Sequence, residues 1–225
     1  MDYQIIQTAD GSKTLYLPAM NEQYHSVNGA YTESEYVFIE KGYLFHPAKN
    51  PVVFEVGFGT GLNCLLTAIS AEKTQRPTTF FSIEKYPLEN QWTESLNYGS
   101  LISGEAKEIF AALHSCEWGK TVQVSTCFSL HKIKADLTGA DISEMGKIDV
   151  VYFDAFGPDK QPEMWEPAIF KKIYNQCSEG AVFVTYSAKG EVRRGLSATG
   201  FSMERLPGPP GKKEMLRGIK NISNL

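Results

Sequence analysis

The sequence predicts one α/β domain, in which helices cover both faces of a mostly parallel seven-stranded sheet and a small N-terminal extension comes first. Short apolar runs alternate with helical stretches beyond residue 49, and this alternation is typical of parallel sheets. The first run, residues 52–56, is almost continuously apolar, as in strands buried on both faces. The length of 225 residues suits one sizeable core.

Residues 1–48 form the predicted extension, a hairpin followed by a helix. Two short extended stretches, near Ile5 and at residues 15–17, flank the turn signal Asp10-Gly11-Ser12. A helical stretch follows over about residues 30–41.

Residues 49–225 supply the elements of the main domain. The seven predicted strands fall at or within residues 52–56, 79–83, 122–133, 148–153, 181–186, 201–203 and 214–216. The predicted helices fall at about residues 62–71, 88–96, 105–116, 164–176 and 191–198.

Composition points to a cytoplasmic protein without membrane contact. No apolar run approaches the ~20 residues that span a bilayer. The first residues lack a basic region followed by an apolar core, so secretion is not expected. The four cysteines and four histidines are scattered without metal-ligand spacing, which predicts reduced thiols and no metal.

The charge is unevenly distributed along the chain. The net charge is −4, yet residues 186–225 contain eight basic and three acidic residues. Such asymmetry permits a local polyanion-binding surface on an acidic body. A basic helix and strand that are merely solvated would show the same count.

The segment Glu-Val-Gly-Phe-Gly-Thr-Gly at residues 55–61 lies between the first predicted strand and a helix. Glycines there allow a tight turn and close approach of a ligand to the backbone. Dinucleotide-binding loops read Gly-x-Gly-x-x-Gly, whereas this Gly-x-Gly-x-Gly pattern resembles motif I of class I methyltransferases. The motif implies contacts with the amino-acid part of S-adenosyl-L-methionine. The candidate cofactor-binding residues here are Glu55, Gly57, Gly59, Thr60, Gly61 and Asn63.

Acidic residues follow three of the predicted strands. Glu84, 23 positions after Gly61, stands where nucleotide-binding folds place a carboxylate for ribose hydroxyls, although a surface carboxylate is the alternative. Asp136 is a candidate for the adenine amino group, as an acidic residue is in class I methyltransferases. Asp154 follows the fourth strand. Ligands of open α/β sheets bind beyond these strand ends, so the three should share one crevice.

Residues 154–158 (Asp-Ala-Phe-Gly-Pro) and 160–165 (Lys-Gln-Pro-Glu-Met-Trp) resemble the Asp-Gly-Phe-x-Pro-x-x-x-Pro-x-Met-Trp signature of the MnmC-like tRNA (5-methylaminomethyl-2-thiouridine) methyltransferases. Further blocks are similar to that family in the same order, at residues 24–26, 29–38, 55–63, 192–196, 200–201 and 212–216. Ala155 replaces the usual glycine, His25 replaces an aromatic residue, and residues 207–211 are rich in proline.

The resemblance implies a Rossmann-like, S-adenosyl-L-methionine-dependent enzyme of tRNA modification. Its reaction would be N-methylation of the 5-aminomethyl group of the wobble uridine, from 5-aminomethyl-2-thiouridine to 5-methylaminomethyl-2-thiouridine. The best-known members also carry an FAD-dependent oxidase domain. The 225 residues leave no room for it, so a stand-alone methyltransferase is expected.

Asp154 is the predicted catalytic residue and also a cofactor-binding candidate. An alkylamine has a pKa near ~10, so it is mostly protonated at neutral pH and cannot attack a methyl group. A carboxylate could hold the ammonium, relay its proton and orient the amine. Because a carboxylate also raises the pKa of the amine, its benefit must come from positioning or proton relay.

Other residues are predicted to contact substrate or cover the cofactor. Phe156 and Trp165 could stack on the uracil or adenine ring, or could be core aromatics. Tyr24 and Glu33, with Ser34, could cover the cofactor or merely pin the extension to the domain. The candidates for tRNA phosphates are Lys189, Arg193, Arg194, Lys212 and Lys213.

Two other functions remain open. An aminopropyl transferase of the spermidine-synthase type would share the sheet, an acidic loop and an amine nucleophile, but would use decarboxylated S-adenosylmethionine. The basic C-terminal segment argues against a polyamine substrate, because polyamines are cations. The other alternative is a non-catalytic module that binds the cofactor or RNA. The presence of Asp154 together with the other strand-end residues argues against this alternative.

Overall fold

The computed structural model describes residues 2–222. Its strands are β1 (Gln4–Gln7), β2 (Lys13–Leu17), β3 (Glu22–Gln23), β4 (Val52–Val56), β5 (Thr78–Glu84), β6 (Thr121–Ser125), β7 (Phe128–Lys134), β8 (Ile148–Phe153), β9 (Cys177–Thr185), β10 (Phe201–Pro207) and β11 (Glu214–Lys220). Its helices are α1 (Ala30–Ser34), which continues as a π-helix (Glu35–Tyr43), α2 (Leu62–Thr74), α3 (Asn90–Glu94), α4 (Tyr98–Ile102), α5 (Gly104–Ser115), α6 (Pro167–Gln176) and α7 (Gly190–Thr199). Short 3₁₀ turns lie at Ser143–Met145 and Pro162–Trp165.

The main sheet has the strand order β10-β11-β9-β8-β4-β5-β7-β6. The five strands from β9 to β7 are mutually parallel, whereas β10, β11 and β6 pair antiparallel. The mostly parallel sheet is therefore confirmed, with eight strands among the described residues instead of seven. The additional strand arises because residues 122–133, predicted as one extended stretch, contain the hairpin β6–β7.

Helices cover both faces of this sheet, as predicted. Val53 and Phe80 pack in one core, beneath α2, α5 and the π-helix, whereas Phe54 and Phe183 pack in a second core with α6 and α7. Neighbouring residues of β4 thus point into opposite cores, as the alternation of a strand requires. Within residues 2–222, no helix combines the length and the apolar character that crossing a bilayer demands.

The extension forms a small antiparallel sheet, β1-β2-β3, followed by α1 and the π-helix. Its turn caps α1 from a distance, since the Asp10 carboxylate accepts hydrogen bonds from the Thr32 backbone N–H and hydroxyl, both at 2.9 Å. The Ser12 hydroxyl accepts from the Ala30 N–H at 3.2 Å. The turn predicted from sequence therefore fixes the helix that carries Glu33 to the cavity described next.

Candidate active site

The register of the parallel strands brings the predicted loop and acidic residues to one edge of the sheet. Val56 of β4 lies beside the last residue of β8, and the Asp154 N–H donates to the Val56 carbonyl at 3.0 Å. Glu84 ends β5 opposite the last residue of β7, two positions before Asp136. The chain continues from β4 to β5 on one side and returns to β8 on the other, so Gly57 and Asp154 flank the topological switch point.

A cavity of about 540 Å³ lies at this edge, a size typical of small-molecule sites. Twelve of the predicted site residues line it: Tyr24, Glu33, Ser34, Gly57, Gly59, Thr60, Asn63, Glu84, Asp136, Asp154, Phe156 and Lys212. Seven are not part of its lining: Glu55, Gly61, Trp165, Lys189, Arg193, Arg194 and Lys213.

The glycine loop is closely packed, so a side chain at Gly57, Gly59 or Gly61 would press on neighbouring atoms. Gly57 has a φ of 93°, and a Cβ there would lie 3.0 Å from the Asp154 carbonyl oxygen. A Cβ on Gly59 would lie 3.1 Å from the Tyr24 ring. Gly61 is the N-cap of α2 and supplies no side-chain cap, so the first amides of the helix stay available to a ligand.

Two carboxylates lie on the β5–β7 side of the loop. Glu84 accepts from the Gly59 N–H at 3.1 Å through one oxygen and from the Tyr86 N–H at 2.8 Å through the other. Each oxygen keeps a lone pair for a ligand hydroxyl. Asp136 pairs with Lys85 at 2.9 Å, and this contact, helped by hydrogen bonds from Thr138, lowers its pKa to about 2.

Asp154 lies on the other side of the loop. The Asn63 side-chain amide donates to Asp154 Oδ2 at 2.8 Å. Burial, assisted by the negative charge of Glu33, raises the pKa of Asp154 to about 8, against the opposing effects of the Asn63 hydrogen bond and the Lys212 charge. Asp154 is therefore a much stronger proton acceptor than an ordinary aspartate.

Glu55 lies beneath the glycine loop, away from the cavity wall. Its side chain is fully buried and accepts a hydrogen bond of 2.5 Å from the Ser82 hydroxyl. Burial raises the pKa of Glu55 well above its usual range, because the charged form is costly in the core. The structure thus leaves Glu55 outside the cavity lining, bonded to Ser82 of β5.

The extension covers the cavity from the other side. Tyr24 meets Phe156 edge to face, with ring centroids 5.2 Å apart. His25 lies between the Thr14 hydroxyl, 3.0 Å from Nδ1, and the Thr60 hydroxyl, 3.4 Å from Nε2. Burial lowers the pKa of His25 to about 4, so the ring is neutral. Sequence reasoning noted His25 only as a departure from the family pattern and missed this bridge between extension and glycine loop.

Lys212 lies inside the cavity, although it was predicted among the phosphate-binding residues. Its ammonium pairs with the Glu33 carboxylate and lies 4.2 Å from the centroid of the Tyr186 ring. The backbone N–H of Ser26 donates to the other Glu33 oxygen at 2.9 Å. The cause is the loop between β10 and β11, which turns Lys212 inward while Lys213 remains exposed.

Trp165 supports the wall without forming it. Its Nε1–H donates to the Phe156 carbonyl at 2.8 Å, and its ring packs edge to face on Phe153 at 4.9 Å in the second core. Only 8% of Trp165 is exposed. Of the two aromatics predicted to stack on a base, the structure therefore brings only Phe156 to the cavity.

Tyr186 was not predicted from sequence, although it directly follows β9 and the strand-end rule applied to the other site residues would have found it. Its hydroxyl donates to the Ala155 carbonyl at 2.9 Å, and its ring lines the cavity. Burial raises the pKa of this phenol well above its usual value, so the hydroxyl stays protonated.

The remaining basic candidates lie outside the cavity. Lys189, three residues after Tyr186, forms an ion pair with Asp159. Arg194 and Lys213 are exposed, whereas Arg193 is partly buried. Within the described part of the chain, these last three residues form no ion pair. Arg193 and Arg194 are neighbours on α7 and point about 100° apart, as expected for a helix.

The lining has the donors and acceptors that S-adenosyl-L-methionine requires. The two acids on the β5–β7 side suit ribose hydroxyls and an amino group, and the start of α2 has no side-chain cap, which leaves its first backbone amides open. The Ser34 hydroxyl, 1% exposed and in the cavity lining, has no hydrogen-bond partner among the described residues.

Comparisons with known proteins agree with this geometry. The profile of a family described as S-adenosyl-L-methionine-dependent methyltransferase matches residues 104–221. The tRNA 5-methylaminomethyl-2-thiouridine biosynthesis bifunctional protein MnmC from Pseudoalteromonas atlantica is 33% identical over 87% of this chain, and that from Aeromonas salmonicida is 34% identical over 87%. The chain spans only 30% and 32% of the length of these two relatives.

Solved structures show the same likeness. The crystal structure of MnmC2 from Aquifex aeolicus superimposes with a TM-score of 0.75 and 25% identity, covering 96% of this chain and 70% of that one. Spermidine synthase from Thermotoga maritima superimposes with a TM-score of 0.58 and 11% identity, covering 99% and 73%. The second match shows a shared fold alone.

Proposed function

Because the chain belongs to the family of S-adenosyl-L-methionine-dependent methyltransferases, we propose that it methylates the amine of a 5-aminomethyl uridine at the wobble position of tRNA. The single observation that carries the proposal is Asp154, a carboxylate with a raised pKa at the switch point of a cofactor-sized cavity. The names of the MnmC relatives support tRNA as the substrate and a methylaminomethyl uridine as the product.

The residues of the β5–β7 side would hold the adenosine part of the cofactor. Glu84 would accept hydrogen bonds from the ribose hydroxyls, and Asp136 would accept one from the adenine amino group. Gly57, Gly59 and Thr60 would lie along the amino-acid part. When bound, the cofactor supplies an electrophilic methyl group on a sulfonium sulfur.

Asp154 would hold the substrate amine and take its proton. A substrate ammonium has a pKa near ~10, about six units above that of an ordinary aspartate. With a pKa of about 8, Asp154 narrows that gap to about two units. The Asn63 amide keeps the carboxylate oriented, and positioning of the amine contributes further to the rate.

Phe156 and Tyr24 would form the aromatic wall against which the uracil ring lies. The phosphate contacts would come from Lys189, Arg193, Arg194 and Lys213. The first three follow β9 along the chain, and Lys213 directly precedes β11. Lys212 leaves this set because it faces Glu33 inside the cavity.

The experiment is incubation of the protein with methyl-labelled S-adenosyl-L-methionine and tRNA carrying 5-aminomethyl-2-thiouridine, followed by nucleoside mass spectrometry. We expect label in 5-methylaminomethyl-2-thiouridine, and none with matched tRNA that carries unmodified uridine at the wobble position. Label on another nucleoside, or transfer of an aminopropyl group to a polyamine from decarboxylated S-adenosylmethionine, would contradict the proposal.

A further inference from the structure

The lysines of the cavity lining lie on opposite sides of the glycine loop. Lys85 follows β5 and pairs with Asp136, on the side that suits adenosine. Lys212 lies on the side of Asp154 and pairs with Glu33, whose side chain is only 8% exposed. Among the described lining residues these are the only two lysines, and there is no arginine. Each end of the cavity therefore has one lysine ammonium: Lys85 on the Asp136 side and Lys212 on the Asp154 side.

Lys212 is held in place by its surroundings. The loop between β10 and β11 is closed by a hydrogen bond from the Gly208 N–H to the Lys213 carbonyl, at 3.1 Å. At Gly211 the loop presses so closely on Asn28 of the extension that a Cβ would clash with the Asn28 side chain. The ammonium of Lys212 thus has a fixed position over the Tyr186 ring.

The strand order tells which part of the cofactor reaches this position. Neighbouring strands lie about 4.8 Å apart, so a ligand that starts beside β5 and β7 crosses β4 and ends beside β8. Glu84 lies at the start of that path and Asp154 at its end. Glu33 and Lys212 are close enough to Asp154 to influence its charge state. With the ribose at Glu84, the amino-acid end of the cofactor would therefore reach the Glu33–Lys212 pair.

This end of S-adenosyl-L-methionine carries an α-amino cation and an α-carboxylate anion. Near Asp154 and Glu33, an added carboxylate needs a cation beside it, because like charges in a partly dry cleft repel each other. We propose that Lys212 binds the α-carboxylate while Glu33 binds the α-amino group. This contact makes the site select S-adenosyl-L-methionine over its decarboxylated form. The inference concerns the cofactor alone and holds whether or not tRNA is the methyl acceptor.

The test measures binding without tRNA. Isothermal titration calorimetry is carried out on the whole chain with S-adenosyl-L-methionine, decarboxylated S-adenosylmethionine and 5′-deoxy-5′-methylthioadenosine, which lacks the amino-acid end. The variant is Lys212→Met, which keeps the length of the side chain without its charge. Lys213→Met is the matched control, since Lys213 is the exposed neighbour, and Lys212→Arg tests restoration of the charge.

The unaltered chain should prefer S-adenosyl-L-methionine over the decarboxylated form by about 10- to 100-fold, the usual value of a charge-assisted contact. Lys212→Met should abolish most of that preference and leave methylthioadenosine affinity unchanged, while Lys213→Met keeps the preference and Lys212→Arg recovers part of it. Three results would overturn the inference: no preference in the unaltered chain, a preference that survives Lys212→Met, or an equal loss for all three ligands. The last would show that Lys212 only maintains the fold.

Discussion

Asp154 combines two properties that oppose each other in an ordinary protein side chain. It lies among buried neighbours, which penalise its negative charge, and the role proposed for it requires the charged form, which can accept a proton from an ammonium group. The single hydrogen bond from Asn63 offsets only part of the penalty. The raised pKa is therefore a property that the site maintains at some expense in stability.

A stability measurement tests this directly. Because the folded-state pKa of about 8 exceeds the ordinary value of 3.8, the folded protein binds more protons, and stability falls as pH rises between these values. Asp154→Asn removes the titrating group and keeps an oxygen that can accept from Asn63. We expect its Tm to exceed that of the unaltered chain at pH 8 to 9, with the difference disappearing toward pH 4.

Asp159→Asn is the control, since that exposed carboxylate pairs with Lys189 and should show no such pH-dependent gain. A Tm of Asp154→Asn that falls below that of the unaltered chain as pH rises would show that the charged form is stabilised by the fold.

The sequence predicted which residue types gather at the site better than which way their side chains point. Glu55 precedes the glycine loop, but strands buried on both faces carry no alternation of polarity that would show its direction. Trp165 belongs to the family signature, yet it lies outside the cavity lining and donates a hydrogen bond to the Phe156 carbonyl. Lys212 is in a loop, and only the packing of that loop on the extension turns it inward.

At the scale of elements, the glycine loop and the strand-end acids were predictable because their positions follow from strand order. The β6–β7 hairpin was not, because its two-residue connection, Thr126-Cys127, contains none of the glycine, proline, asparagine or aspartate residues that mark turns. A bulge between Gln123 and Ser125 further disturbs the alternation of β6. Both strands therefore read as one extended stretch.

The short helix α1 depends on a side chain outside it. Its own N-cap, Gly29, supplies no capping group, and Asp10 does so from the hairpin turn. Despite partial burial, which raises it, the pKa of Asp10 is lowered to about 2 by hydrogen bonds from Ser12, Thr32 and Thr8. The carboxylate stabilises the fold above its unfolded-state pKa, and this contribution is lost as pH falls toward 2.

We expect Asp10→Ala to lower the free energy of unfolding by about 2 kcal/mol at pH 7, the value of a lost cap with additional hydrogen bonds. It should also weaken S-adenosyl-L-methionine binding, since α1 carries Glu33 and Ser34 to the cavity. Urea denaturation and calorimetry measure both effects. The comparison is Asp141→Ala, whose carboxylate caps only a local turn at Ser143. Equal cofactor affinity in the two variants would show that the position of α1 does not affect cofactor binding.

At the scale of the whole molecule, much of the basic C-terminal charge is used internally. Arg217 pairs with Glu204 at 2.6 Å, Arg205 lies 3.9 Å from Glu214, and Lys212 pairs with Glu33. The asymmetry along the sequence therefore exaggerates the surface available to a polyanion. Few basic side chains therefore remain for the proposed tRNA contacts, and we expect tRNA binding to depend only modestly on salt.

Replacing both Arg194 and Lys213 with Ala should raise the KM for tRNA and leave the affinity for S-adenosyl-L-methionine unchanged. The slope of log affinity against log salt should fall by about 1.5 to 2, corresponding to two lost phosphate contacts. Filter binding over a range of salt concentrations measures it. The control is Lys120→Ala, directly before β6 on the opposite edge of the sheet. An equal loss of tRNA affinity in the Lys120→Ala control would indicate that the basic residues attract tRNA only nonspecifically.

The pH dependence of kcat/KM for tRNA, with Asp154→Asn measured beside the unaltered chain, is the most direct test of the role given to this carboxylate. The rate constant should rise with pH and level off above about 8 in the unaltered chain. Asp154→Asn should lose at least about 100-fold in activity together with this rise, while cofactor affinity changes much less. Retention of turnover and of the same pH profile in Asp154→Asn would remove Asp154 from the chemistry.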